Sequence, residues 1–168
     1  MTLDVKTPGA TVRDPALRAE LRDLYEDYAA ALDDLRLDDW VAYFTEGSLY
    51  RVMGRETFDQ ELTHATIFCQ GLPMIRDRAA AVHRTAVYEP RHLRHFVSGV
   101  RVVGFSNGEI EAEGNFMISE AMFDREARLF LTGQYKDRLV RTKDGLRFRE
   151  RTAVYDNHAI PTTLIIPV

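Results

Sequence analysis

After Pro90 the apolar pattern of this chain switches from helical spacing to strict alternation, and that switch limits the fold more than any other feature. Residues 93–104 and 109–123 flank Ser106-Asn107-Gly108, and Asn-Gly between alternating runs is a strong short-range hairpin signal. Residues 128–142 and 146–157 flank a second such turn at Asp144-Gly145. The stretch FDREAR, residues 123–128, reads as the loop joining the middle two runs. Three successive hairpins predict a four-stranded antiparallel meander.

Ahead of Pro90 the period is helical. Asp14 before Pro15 is an N-cap followed by proline at the first helical position. From there Leu17, Leu21, Leu24, Tyr28, Leu32 and Leu35 recur every three or four residues, with Arg18, Arg22, Glu26 and Asp33 off the stripe. LDDWVAYF, residues 37–44, predicts a second, short helix with Asp38 as its cap and Trp40, Val41 and Phe44 buried. SLYRVM (48–53) reads as a strand, GRETFDQE (54–61) as a polar connection, and LTHATIFC (62–69) as a further strand. LPMIRDRAAAVHRTA (72–86) returns to helical spacing, with Met74, Ile75, Ala79 and Val82 on one side. Helices first and a sheet afterwards is an α+β plan, in which a curved sheet wraps over the helices. Residues 1–13 read as a flexible arm and 14–168 as a single domain. The apolar end LIIPV (164–168) is expected to pack, since each large side chain left exposed forfeits roughly 1.5–3 kcal/mol.

Composition removes several classes of function. A formal net charge of −4 gives no electrostatic reason to expect nucleic acid or an anionic membrane as partner. No apolar run approaches the roughly 20 residues of a membrane span, and the first residues carry no secretory apolar core. The single cysteine, Cys69, fits a reducing cytoplasm. It also means that this chain alone cannot hold a Rieske cluster, which needs two cysteines and two histidines. GxGxxG, the P-loop, HExxH and GxSxG are all missing.

Three stretches resemble one family. LRHFVSGVRV (93–102) is similar to the arginine-histidine strand of the small (beta) subunits of Rieske-type aromatic-ring hydroxylases, with Gly99 where asparagine is common. LDDWVAYFTEGSLYRV (37–52) resembles that family's aspartate-tryptophan helix leading into a strand. LRFRERTAVYDN (146–157) followed by LIIPV resembles its last long strand and apolar tail. The resemblance implies the cone-shaped fold of nuclear transport factor 2 (NTF2-like). It implies a non-catalytic structural subunit, with no cofactor of its own. The Rieske [2Fe–2S] cluster and mononuclear non-haem iron would sit in the partner large (alpha) subunit, in an alpha3beta3 hexamer fed by a ferredoxin/reductase chain. The spacing of residues 72–95 resembles relatives acting on carboxylated aromatics, of the salicylate 5-hydroxylase or terephthalate dioxygenase kind.

His92 and His95 are three apart, but side chains alternate along a strand, so the two point to opposite faces and make a poor metal pair. Within the resemblance one faces the concave side and the other a neighbouring chain. Arg94 shares its face with His92, Phe96 and Ser98 and is expected at an interface, where a planar guanidinium takes a carboxylate. Arg147, Arg149 and Arg151 alternate on one face of the last strand. That face is either a solvated surface laced with cross-strand ion pairs or a docking surface. His92, Arg94, His95, Arg101, Arg147, Arg149 and Arg151 are therefore the interface candidates, and no catalytic residue is assigned. The alternative is a stand-alone isomerase or dehydratase in the same cone, its pocket between long helix and sheet, using Tyr25, Tyr28, Asp39 or His83 as acid–base groups.

Overall fold

The computed structural model describes residues 14–168, so the expected flexible arm at 1–13 lies outside the described residues. Asp14 caps the first helix, α1 (Pro15–Asp33), by accepting from the backbone N–H groups of Ala16 and Leu17 at 3.0 and 3.2 Å. The apolar stripe of α1 buries Leu21, Leu24, Tyr25, Tyr28 and Leu32. A tight corner with Leu35 in the left-handed region leads into α2 (Leu37–Ala42), where Asp38 lies in the first turn and Arg36 stands at the cap. Trp40 is completely buried, edge-on to Phe44 and Tyr50 with ring centroids 5.3 Å apart in both pairs.

The strand expected at 48–53 extends over β1 (Phe44–Gly54). The stretch read as a polar connection contains a one-turn helix, α3 (Arg55–Asp59), too short to show a period. Of the strand expected at 62–69, only β2 (Ile67–Gln70) pairs, antiparallel to β1. In α4 (Leu72–Arg84) the buried stripe is Leu72, Ile75, Ala79 and Val82. Met74, expected on that side, is exposed because it lies one residue off the stripe; its sulfur accepts from the Gln70 N–H at 3.3 Å.

The meander forms as expected, with β3 (Arg91–Ser106), β4 (Glu109–Met122), β5 (Arg125–Thr142) and β6 (Gly145–Tyr155). Asn107 and Gly108 both take positive φ, 52° and 78°, as a primed two-residue hairpin turn requires. The loop expected at 123–128 is only the turn Phe123-Asp124, since both strands run further than the apolar pattern does. The sheet has six strands in the order β2-β1-β6-β5-β4-β3, and β1 lies parallel to β6. It curves over α1, giving the α+β NTF2-like cone. Gly99, at φ 63°, sits in the break of the β3–β4 register between Ser98 and Arg101. Glycine and asparagine are the residues that enter this region at least cost, which accounts for either residue at that point.

A second register break decides where the arginines point. Leu139 pairs with Phe148 and Arg138 with Glu150, so Arg149 is an extra residue in β6. A bulge of one residue reverses the faces beyond it. Leu146 and Phe148 face inward before the bulge, and Arg151 and Ala153 face inward after it. Glu150 and Thr152 come out to meet Arg51, at 2.6 Å from Glu150 Oε1 and 3.0 Å from Thr152 Oγ1. The expected row of three outward arginines is therefore two, and Arg151 is inside.

Candidate functional site

β3 separates the two histidines as alternation requires. His92, Arg94 and Phe96 are exposed, whereas Leu93 and His95 turn inward. His95 Nδ1 lies 2.6 Å from Asp33 Oδ1, and its backbone N–H donates to both Asp33 oxygens at 3.1 Å. Asp33 ends α1, where the helix dipole disfavours a carboxylate. The contacts from β3 offset that cost and pin the edge strand to the helix. His95 is thus an internal fastening, and the surface offers no access to it. Arg94 remains 58% exposed, its guanidinium 3.8 and 3.9 Å from Asp33 and Asp34. Among the described residues no three metal-ligating side chains converge.

The outer face of β3 and its neighbours is apolar at one end. In register, Phe96 lies opposite Met117, which lies opposite Thr132; Arg94 lies opposite Ser119, which lies opposite Leu129. Phe96, Met117 and Leu129 are 54%, 42% and 54% exposed; Val103 is half-exposed in a second register break of β3, past which Phe105 pairs with Ile110 on the inward side. β3 is also the edge of the sheet and 16 residues long. A long edge strand with uncovered apolar side chains invites pairing with another chain unless something occupies it.

Further along the same face the charges are answered within the chain. Glu113 accepts from Arg101 and Lys136, both at 2.7 Å. Burial alone would raise the Glu113 carboxyl, but these two cations outweigh it and hold it below the usual range. Arg138 lies 3.3 Å from Glu109 and 3.2 Å from Glu150. Arg149 packs on the Gly47 carbonyl, with Glu109 3.9 Å away, and Arg147 donates to the Leu146 carbonyl at 2.8 Å. Arg101 and Arg149 each have a carboxylate of another strand within 4 Å. Each such pair contributes about 0.2–1 kcal/mol.

The interior holds what sequence reasoning missed. Arg151 is fully buried and meets Asp137 through Nε at 3.1 Å and Nη2 at 2.8 Å. Its guanidinium carbon lies 3.9–4.5 Å from the ring centres of Phe148, Tyr135, Tyr28 and Tyr25. Burial works against the charge on Arg151, but Asp137 overcomes it and holds the guanidinium protonated. Burial also lifts the Tyr25 hydroxyl well above its ordinary value, with Asp137 adding to the effect, so Tyr25 donates to that carboxylate. A signal was available: Asp137 interrupts the inward series Tyr135, Leu139 on β5, and an acid in an apolar register calls for a buried cation.

Residues 164–168 pack onto this interior. Leu164, Ile166 and Val168 are buried, as expected. Arg78 donates to the Leu164 and Ile165 carbonyls at 2.9 and 2.6 Å. The Val168 backbone oxygen accepts from Tyr28 at 2.8 Å and Tyr50 at 3.1 Å. The groups considered for acid–base work are therefore scattered. Tyr25 and Tyr28 belong to the ring cage and the tail anchor, Asp39 is exposed with Arg36 at 2.6 Å, and His83 is exposed on α4.

The family described as "Ring hydroxylating beta subunit" matches residues 27–162. The small subunit of anthranilate 1,2-dioxygenase from Burkholderia cepacia is 32% identical over 149 residues, covering 89% of this chain and 92% of the relative. The beta 2 subunit of the terminal oxygenase component of terephthalate 1,2-dioxygenase from Comamonas sp is 26% identical over 141 residues, covering 84% and 92%. A chain in the structure of naphthalene 1,2-dioxygenase with indole in its active site shares the fold, with a TM-score of 0.75 at 16% identity, covering 94% of this chain and 88% of that one.

Proposed function

The chain belongs to the beta subunits of ring-hydroxylating dioxygenases, and from that premise we propose that it is a non-catalytic structural subunit on which catalytic large subunits assemble. The observation that carries the reading is the outer face at the β3 edge, where Phe96, Met117 and Leu129 stand uncovered. Arg94 and His92 share that face and supply the polar rim, as an interface with an apolar centre requires. The interior supports the same reading, because Arg151, its four rings and the tail fill the space that an isomerase or dehydratase of this fold would need for substrate.

The partner is the alpha subunit, carrying the Rieske [2Fe–2S] cluster and the mononuclear iron, in an alpha3beta3 hexamer in the cytoplasm. The iron of that subunit would supply the oxygen-insertion chemistry, with electrons from a ferredoxin/reductase chain, and this chain would contribute no residue to the step. Both anthranilate and terephthalate are carboxylated aromatics, so the substrate class assigned to the assembled enzyme is an aromatic acid, salicylate-like in size. Affinity purification of this chain from its native host should bring down a larger, brown partner with iron and Rieske-type absorption. A colourless homo-oligomer free of iron would sink the reading.

The interface has its own test. Phe96→Asp should reduce recovery of the large subunit at least tenfold, about 1.4 kcal/mol or more of binding. Stability of the isolated chain should stay within about 0.5 kcal/mol, because the ring is on the surface. Equal recovery with the variant would place the contact elsewhere.

A further inference from the structure

On α4, Arg78 is answered by the carbonyls of the tail, but three other basic side chains of that helix are not. A groove of about 670 Å³ runs between α2 and α4, with Val41, Phe44, Leu72 and Ala79 among the residues that line it. Arg76, His83 and Arg84 line its α4 side, and among the described residues their side chains have no hydrogen-bond or ion-pair partner. Arg76, Ala80, His83 and Arg84 follow the i, i+4, i+7, i+8 spacing of one helix face. Ala80 and Ala42 keep the groove accessible, since neither side chain reaches across it. Asp38 stands on the α2 side.

The same chain carries a complement to this groove. At the tip of the β4–β5 hairpin Phe123 is fully exposed, next to Asp124, Arg125 and Glu126. Arg125 reaches Glu89 at 3.4 Å, which brings the equally exposed Val87 segment beside the tip. The tip is thus an aromatic side chain flanked by three carboxylates and one arginine, which pairs with Asp124 at 3.0 Å as well as with Glu89 and leaves the tip negative on balance. The groove is an apolar floor flanked by two arginines, a histidine and one carboxylate. Apolar group meets apolar floor, and a tip with an excess of carboxylates meets a groove with an excess of basic side chains.

We propose that the β4–β5 hairpin tip of one copy seats Phe123 in the α2–α4 groove of a second copy. Asp124 and Glu126 then face Arg76 and Arg84. A hairpin tip covers less than the roughly 1,200 Å² of a standard interface, so Phe123 is the anchor of a wider contact between copies. This inference goes beyond the subunit reading, because it concerns contacts between copies of this chain and needs no large subunit.

Disulfide trapping tests it. Full-length Ala80→Cys and Phe123→Cys chains are mixed one to one and oxidised with diamide, both alone and co-purified with the large subunit. Native Cys69 is buried and serves as the background. The mixture should give a covalent pair that neither variant gives alone. Adding Arg76→Glu with Arg84→Glu should cut the yield at least tenfold, and adding Asp124→Arg with Glu126→Arg on the other chain should restore it. Unchanged melting of each variant keeps misfolding out of the comparison. The contact is refuted by no pair in either preparation, by equal homo-pairs from the single variants, or by a cross-link from Ala80→Cys to the large subunit. If the large subunit co-purifies while no pair forms, the subunit reading stands and this contact falls.

Discussion

Arg151→Ala should destabilise the chain by about 3–5 kcal/mol, the typical cost of removing one partner from a buried ion pair. The substitution leaves the Asp137 carboxylate buried with only the Tyr25 hydroxyl as partner, and it empties the centre of a cage of four rings. The interior around Arg151 supplies no second cation that could move in, since Arg151 is the one buried arginine among the described residues. The companion variant separates charge from packing. Arg151→Met with Asp137→Leu removes both ions and refills the space, and should recover most of the loss or exceed the parent's stability. Urea unfolding followed by far-ultraviolet circular dichroism gives both numbers. A single variant within 1 kcal/mol of the parent would mean that the ion pair contributes far less than its burial implies.

Gly133→Ala should cost about 3 kcal/mol or more, the upper part of the range for overpacking. A Cβ at position 133 would run into the Val154 carbonyl oxygen, and would sit 2.6 Å from the Phe116 ring and 2.8 Å from the Tyr155 Cα. Two of these three neighbours are backbone of β6, so no side-chain rotation relieves the contact; β5 and β6 must separate locally. A methyl group is normally harmless in a strand, which makes the effect diagnostic of close strand approach. Thermal melting of the variant checks it, and an unchanged midpoint would show that the two strands are further apart. At Gly108, by contrast, a Cβ meets nothing within 4 Å, and only its φ of 78° argues for glycine.

Sequence periodicity carried the architecture a long way. The capped α1, the aromatic corner at Trp40, the four-strand meander and the buried tail all follow from spacing and turn chemistry, because each is local or depends on one repeating face. Three features did not follow. The parallel union of β1 with β6 joins residues about a hundred positions apart, and nothing in either strand's pattern names its partner. α3 is one turn of polar residues and has no period to read. The bulge at Arg149 depends on how β5 and β6 align, so a row of alternating arginines could not reveal that its third member turns inward. The candidate surface shows the same division. Alternation correctly set His92 apart from His95 and put Arg94 beside Phe96. Which arginines find carboxylates is a matter of cross-strand register, and the sequence displays that only at the hairpin turns.

The parallel pairing of β1 with β6 also orders events in time. β1 emerges early in synthesis but has only four-residue β2 to pair with until β6 is made. The hairpins from β3 to β6 close between neighbours in sequence and need nothing from the first half of the chain. The nascent chain therefore carries Tyr50, Val52 and the Trp40 corner uncovered while nearly a hundred further residues are added. A ribosome that pauses or releases the chain before Tyr155 leaves a half-sheet with a sticky face, and its fate is capture by a chaperone or by other incomplete chains.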